Sequence, residues 1–152
     1  MKKVSRESPL AEITLRKYEK PFGIDGRLLV KKFCLSVGLL QPGDSRDIIV
    51  DIFYAILKSK QALTSKQIEE HTIAYRKQEE LPQVGIAPSN IRRQIKRLKK
   101  IGIIESVQNA YQLSEKETLE EVVNVKIKKF LIPQILERID EYTKALDEHR
   151  KQ

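Results

Sequence analysis

Residues 47–58, DIIVDIFYAILK, carry apolar side chains at Ile48, Ile49, Ile52, Phe53, Ile56 and Leu57. Spacings of three and four put all six on one broad stripe of an α-helix. A stripe this wide must be covered by other elements, so the helix is expected at the centre of a small domain's core. With 152 residues, 40% hydrophobic and 33% charged, the chain suits one such domain and a modest extension.

The segments on either side carry their own punctuation. Pro42-Gly43-Asp44 is a turn signal, and Asp44 or Ser45 is expected to cap the central helix. Thr64-Ser65-Lys66-Gln67 matches a capping box, which predicts a second helix from Ser65 to about residue 78, with Ile68, Thr72 and Tyr75 in period. LPQVGIAP then breaks the chain. Ser89 is expected to cap a third helix over 89–101, with Ile91, Ile95 and Leu98 as its apolar face and Gly102 as its stop. The apolar residues flanking Gln108-Asn109 predict a two-stranded hairpin over 103–113, because Asn tolerates the left-handed turn.

Ser114-Glu115-Lys116-Glu117 reads as another capping box, opening a helix that Pro133 is expected to interrupt or kink. A fresh helix can start there, since proline suits a first helical position, and its Ile132, Ile135, Ile139, Tyr142 and Leu146 form a short heptad seam. Such a seam can pack on its own domain or on a second copy; its place at the end of the chain favours a homodimer. Near the start, Asp25-Gly26-Arg27 is expected to open a helix through Leu29, Phe33, Val37 and Leu40. AEITLRKYE alternates Ile13 and Leu15 with polar residues as a strand does, though a helix also fits. The resulting division is an N-terminal extension (1–44), a central domain (45–114) and a C-terminal helical segment (115–152). The class is mainly α with a small β-hairpin, α+β.

Several functions are disfavoured. One cysteine, Cys34, lies among apolar residues and is expected to be a buried small hydrophobe. His71 and His149 sit in polar, helix-like surroundings and are expected on the surface. No zinc-ligand spacing, glycine-rich phosphate loop or catalytic-serine motif is present, so no metal, cofactor or enzymatic activity is expected. No apolar run reaches membrane-spanning length, and MKKVSRESPL lacks the apolar stretch of a secretory signal. A cytoplasmic protein with no membrane partner is the expectation.

The charge pattern points elsewhere. Residues 72–104 hold eight basic and two acidic side chains, whereas residues 105–152 hold eight and ten. Within PSNIRRQIKRLKKIGII, residues 88–104, six of seventeen are Lys or Arg and none is acidic. On a helix, Ile91, Ile95 and Leu98 define one face, and the opposite face holds Ser89, Arg93, Lys96, Arg97 and Lys100. Arg92 and Lys99 flank one side, and Asn90 and Gln94 the other. An exposed helix ordinarily mixes signs, since like charges repel along it. A localised cationic surface is the footprint of a polyanion partner.

The order helix, helix, basic helix, hairpin resembles the winged helix-turn-helix family of DNA-binding domains. The resembling residues run from Asp44 to Lys58, Thr64 to about Thr72, Ser89 to Ile101 and Gly102 to Leu113. The wording is closest over PSNIRRQIKRLKKIGIIESVQNAYQLS, as in many archaeal and bacterial transcriptional regulators. The resemblance implies double-stranded DNA as partner, with the third helix as recognition helix and the hairpin as wing. Ser89, Asn90 and Arg93 would then read base edges. Arg92, Lys96, Arg97, Lys99 and Lys100 would contact phosphates, and Gln108 and Asn109 would reach the minor groove or backbone. A dimer would address half-sites roughly 34 Å apart. One departure is the long connection over 73–88, where an extended second helix or an inserted loop would carry Arg76 and Lys77 beside the DNA. The principal rival is a winged helix serving protein interaction or replication assembly, and an RNA-binding domain ranks lower.

Overall fold

The computed structural model describes residues 7–152; residues 1–6, where the expected N-terminal extension begins, lie outside the described residues. Its elements are mainly helical, with a small three-stranded antiparallel sheet.

The DIIVDIFYAILK stripe forms helix α2 (Ile48–Lys58), where Ile48, Ile49, Val50, Ile52, Phe53 and Ile56 are all buried. Around it pack α1 (Gly26–Ser36), α3 (Ser65–Gln78) and α4 (Pro88–Lys100). Ile68 from α3 and Ile91, Ile95 and Leu98 from α4 enter the same core as Val30, Cys34, Val37, Leu39 and Leu40. The core thus runs across the boundary expected at residue 44. The first segment supplies one of its walls, and Phe33 meets Phe53 with ring centroids 5.7 Å apart.

The capping box of α3 is present as read: Gln67 N–H donates to Thr64 Oγ1 at 3.1 Å and Thr64 N–H to Gln67 Oε1 at 2.9 Å. Three other caps differ. Helix α2 starts at Ile48 after Asp47, which makes no side-chain cap; Asp44 instead accepts from Arg46 N–H at 3.1 Å within the turn. Helix α4 starts one residue before Ser89, at Pro88, with Ala87 as cap. Proline favours this first position because its missing N–H would be unpaired there anyway. Ser114 does not cap the following helix: its hydroxyl is buried and donates to the Gly102 carbonyl at 2.6 Å. Thr118 takes that role, accepting from Glu121 N–H at 3.2 Å.

The hairpin is β2 (Ile104–Val107) and β3 (Ala110–Leu113), with Ile104 opposite Leu113 and Val107 opposite Ala110. Gln108 and Asn109 both take positive φ, 50° and 65°, the backbone a two-residue turn requires. A further strand, β1 (Leu63–Thr64), pairs antiparallel with β3, giving the order β1-β3-β2. Two residues are too few for period-2 alternation to register.

AEITLRKYE forms neither a strand nor a helix. Its partner is the end of α1: Arg16 N–H donates to the Ser36 carbonyl at 2.9 Å, and Arg16 Nη1 donates to Leu35 at 2.9 Å and Leu40 at 3.3 Å. A guanidinium at a helix C-terminus satisfies carbonyls the helix leaves unpaired. Thr14 lies so close to Gly38 (φ +77°) that a Cβ there would meet the Thr14 Cβ at 2.6 Å.

After a short 3₁₀ turn (Ser114–Lys116), α5 (Leu119–Val122), a π-helical stretch (Val123–Leu131) and α6 (Ile132–Arg150) follow one another with right-handed helical backbone at each junction. Pro133 falls in the first turn of α6, where proline is tolerated, and the winding changes there without a break in the helical backbone. The i→i+5 winding just upstream, where Ile132 N–H donates to the Ile127 carbonyl, widens the turn into which the proline ring would press. Ile127 joins the central core, with Leu119, Val123 and Ile132 packed against it, whereas α6 has no buried residue. No helix among the described residues is long and apolar enough to cross a membrane.

Candidate nucleic-acid interface

Helix α4 divides cleanly by face. Ile91, Ile95 and Leu98 are at most 2% exposed and fix it against α2 and α3. Ser89, Arg92, Arg93, Lys96, Lys99 and Lys100 are exposed. Arg97 is half-buried, donating to Gln94 Oε1 at 2.8 Å. Among the described residues, none of the six α4 cations has a carboxylate within ion-pair reach of 4.0 Å. By contrast, α6 carries internal ion pairs, such as Arg138–Glu141 at 3.1 Å.

Asn90 has a more committed position than a free base reader. It is half-buried, and its Nδ2 donates to the Gly85 carbonyl at 2.8 Å. Its Oδ1 accepts from Arg93 Nη2 at 2.6 Å and from Gln94 Nε2 at 3.2 Å. One amide thus ties the preceding loop to α4 and orients the Arg93 guanidinium. Gln108 and Asn109 are exposed at the hairpin tip.

The start of the long connection is the end of helix α3. Helix α3 extends to Gln78, leaving residues 79–87 as the loop. Arg76, expected beside the DNA, is instead 1% exposed. Its Nη1 lies 2.5 Å from Asp51 Oδ2 and 3.2 Å from Asp47 Oδ1. Its Nε and Nη2 donate to the Pro82 carbonyl at 2.8 and 2.6 Å. Arg27 of α1 completes the cluster, with Nε 2.7 Å from Asp51 Oδ1 and Nη2 3.0 Å from Asp47 Oδ2. Lys77 is exposed.

This cluster bolts α1, α2, α3 and the loop into one frame, and the loop delivers Pro88. Asp47, immediately before α2, and Asp51 in its first turn stand four apart, so both carboxylates share a face. Burial works against the charge on Asp47, but hydrogen bonds from Arg27 and Arg76 outweigh it and hold its pKa below the ordinary value. Burial likewise opposes the Arg27 charge, and the Asp51 and Asp47 carboxylates outweigh it. The signal for this cluster was the pair Asp47/Asp51 in an otherwise apolar helix, each carboxylate needing a cation from elsewhere in the chain.

Other chemistry-bearing residues are accounted for. Cys34 is fully buried, and burial pushes its thiol up to about 12, so it is inert packing. His71 and His149 are exposed. A cleft of about 230 Å³ is lined by Tyr54, Tyr75 and Lys58, whose Nζ lies 4.2 and 5.0 Å from the two ring centroids. No cluster of three or more potential metal ligands occurs among the described residues.

On α6, Ile132 and Ile135 are half-buried, whereas Ile139, Tyr142 and Leu146 are 50%, 66% and 61% exposed. Among the described residues the seam is therefore half-buried at its start and open from Ile139 on, where Ile139 and Tyr142 line a cleft together with residues 7–11. Comparison with protein-family models, curated proteins and solved structures finds no match to this chain.

Proposed function

We propose that this chain is a winged-helix protein that binds double-stranded DNA through α4 and the β2–β3 hairpin, as a transcriptional regulator acting as a dimer. The observation that carries this reading is the exposed face of α4, cationic along its length and free of carboxylate partners among the described residues. Self-repulsion on such a face is offset when phosphates neutralise it. The succession α2, β1, α3, α4, β2, β3 and the strand order β1-β3-β2 support the family reading.

In this mechanism α4 lies in the major groove, with Ser89 and Arg93 near base edges and Asn90 holding Arg93 in place. Arg92, Lys96, Lys99 and Lys100 meet phosphates, which sets affinity and register but not sequence. Arg97, half committed to Gln94, adds a weaker contact. Gln108 and Asn109 bring the hairpin tip to the neighbouring backbone or minor groove. The α6 seam of Ile132, Ile135, Ile139, Tyr142 and Leu146 pairs with that of a second copy, which buries apolar surface left open in one chain.

Selection of bound sequences from a random duplex pool tests this reading. Enrichment of a two-fold symmetric site supports a sequence-specific dimer. Retention of no duplex overturns it in favour of a module for protein interaction or replication assembly, to which the uncovered α6 face would then belong.

A further inference from the structure

A cleft of about 510 Å³ lies between the end of α4 and the π-helical stretch. Its lining combines the apolar Ile101, Val125 and Phe130 with the cationic Lys100, Lys126 and Lys129. No lining residue is acidic. Val125 and Phe130 are 46% and 63% exposed, so large apolar side chains lie uncovered beside the lysines. Three features make this a built cleft. The i→i+5 winding brings Val125 and Phe130, five apart, onto one face beside Lys129, whereas an α-helix would splay that pair. Gly102 (φ +85°) lets the Lys126 stem lie against the chain; a Cβ there would meet the Lys126 Cβ at 3.0 Å. The Lys126 ammonium has only a long contact, 3.9 Å, with Glu115, and neither Lys100 nor Lys129 has an ion pair among the described residues.

We propose that this cleft binds a small amphipathic anion, a carboxylate or phosphate head on an acyl body. The three ammonium groups take the head, and Ile101, Val125 and Phe130 cover the body. A duplex phosphate would satisfy the lysines but leave Phe130 and Val125 in water. A neutral apolar ligand would leave the lysines idle. The volume falls within the roughly 300–1,000 Å³ common for small-ligand sites, and the surface is concave, as a membrane-facing helix is not. Binding here does not depend on the DNA reading, because it is measured directly on the full-length chain.

The test is a titration of the ¹⁵N-labelled protein with decanoate and with decyl phosphate below their micelle concentrations, with decyltrimethylammonium as the charge-reversed control. The amides of residues 100–102 and 125–131 are expected to shift with one or both anions and not with the cation; the tighter anion identifies the head group. Lys129→Glu, at an exposed position, is expected to keep its circular dichroism spectrum and to weaken anion binding about tenfold, the loss of one charge-assisted contact. Equal binding of the ammonium surfactant, shifts confined to the α6 seam, or binding only to anionic lipid vesicles would each overturn the proposal.

Discussion

Arg76 Nη1 sits 2.5 Å from Asp51 Oδ2, with the two side chains 2% and 0% exposed. A buried ion pair adds little over apolar packing, but removing one partner leaves the other charge stranded in low dielectric. Here the guanidinium also holds the Pro82 carbonyl and hence the loop before α4. Arg76→Ala is expected to lower unfolding stability by about 3 kcal/mol. Urea denaturation measures this directly. A change below about 0.5 kcal/mol, the range of ordinary surface substitutions, would show that the cluster is not the frame described above.

The same cluster sets an acid limit. The folded-state pKa of Asp47 is depressed below the ordinary aspartate value of 3.8. Its contribution is therefore fully present above the unfolded value and is lost as pH falls from there through the folded pKa. Thermal melts at descending pH below about 4 should show a falling midpoint in the wild type. Asp47→Asn should be less stable at neutral pH and should show a shallower fall in acid. Parallel curves for the two proteins would remove Asp47 from the account.

Two neighbouring cations on α4 should fail differently. Lys96→Ala is expected to weaken binding on every duplex alike and to reduce the salt slope by about one. Arg93→Ala is expected to relax sequence preference, costing about 1–3 kcal/mol on a preferred site and little on random DNA. Because Arg93 is held by Asn90 Oδ1 at 2.6 Å, Asn90→Ala should partly reproduce the Arg93 phenotype. Binding isotherms on a selected site and a scrambled one distinguish these outcomes; identical behaviour of all three variants would contradict the assigned roles.

The α6 seam predicts its own outcome. Ile139 and Tyr142 are 50% and 66% exposed in one chain. Ile139→Glu should convert a dimer to a monomer in sedimentation analysis without lowering the stability of the α1–α4 core. A wild-type protein that sediments as a monomer at micromolar concentration would remove the seam from the mechanism.

Much of this architecture was legible where pattern was long and local. The stripe from Ile48 to Leu57, the Thr64–Gln67 capping box and the turn at Gln108-Asn109 each express their structure within a few residues. What was not legible depended on partners far along the chain. Ser114 looked like a cap, but its hydroxyl is taken by the Gly102 carbonyl twelve residues back. Arg76 looked like a cation standing beside DNA, yet its partners Asp47 and Asp51 are 29 and 25 residues away. Strand β1 exists because β3 offers an edge to Leu63 and Thr64. The site shows the same divide: the faces of α4 followed from helical period, whereas the tethers on Asn90 and Arg97 depend on side-chain contacts that period does not encode.

The central claim is that the exposed face of α4 meets a phosphate backbone. Fluorescence anisotropy of the full-length protein on a random duplex, across about 50 to 200 mM salt, tests it most directly. With about four phosphates neutralised, affinity should fall about a hundredfold over that range, with log K linear in log salt. Lys96→Ala should give a line shallower by about one. Absence of binding at the lowest salt, or binding that ignores salt, would contradict the account.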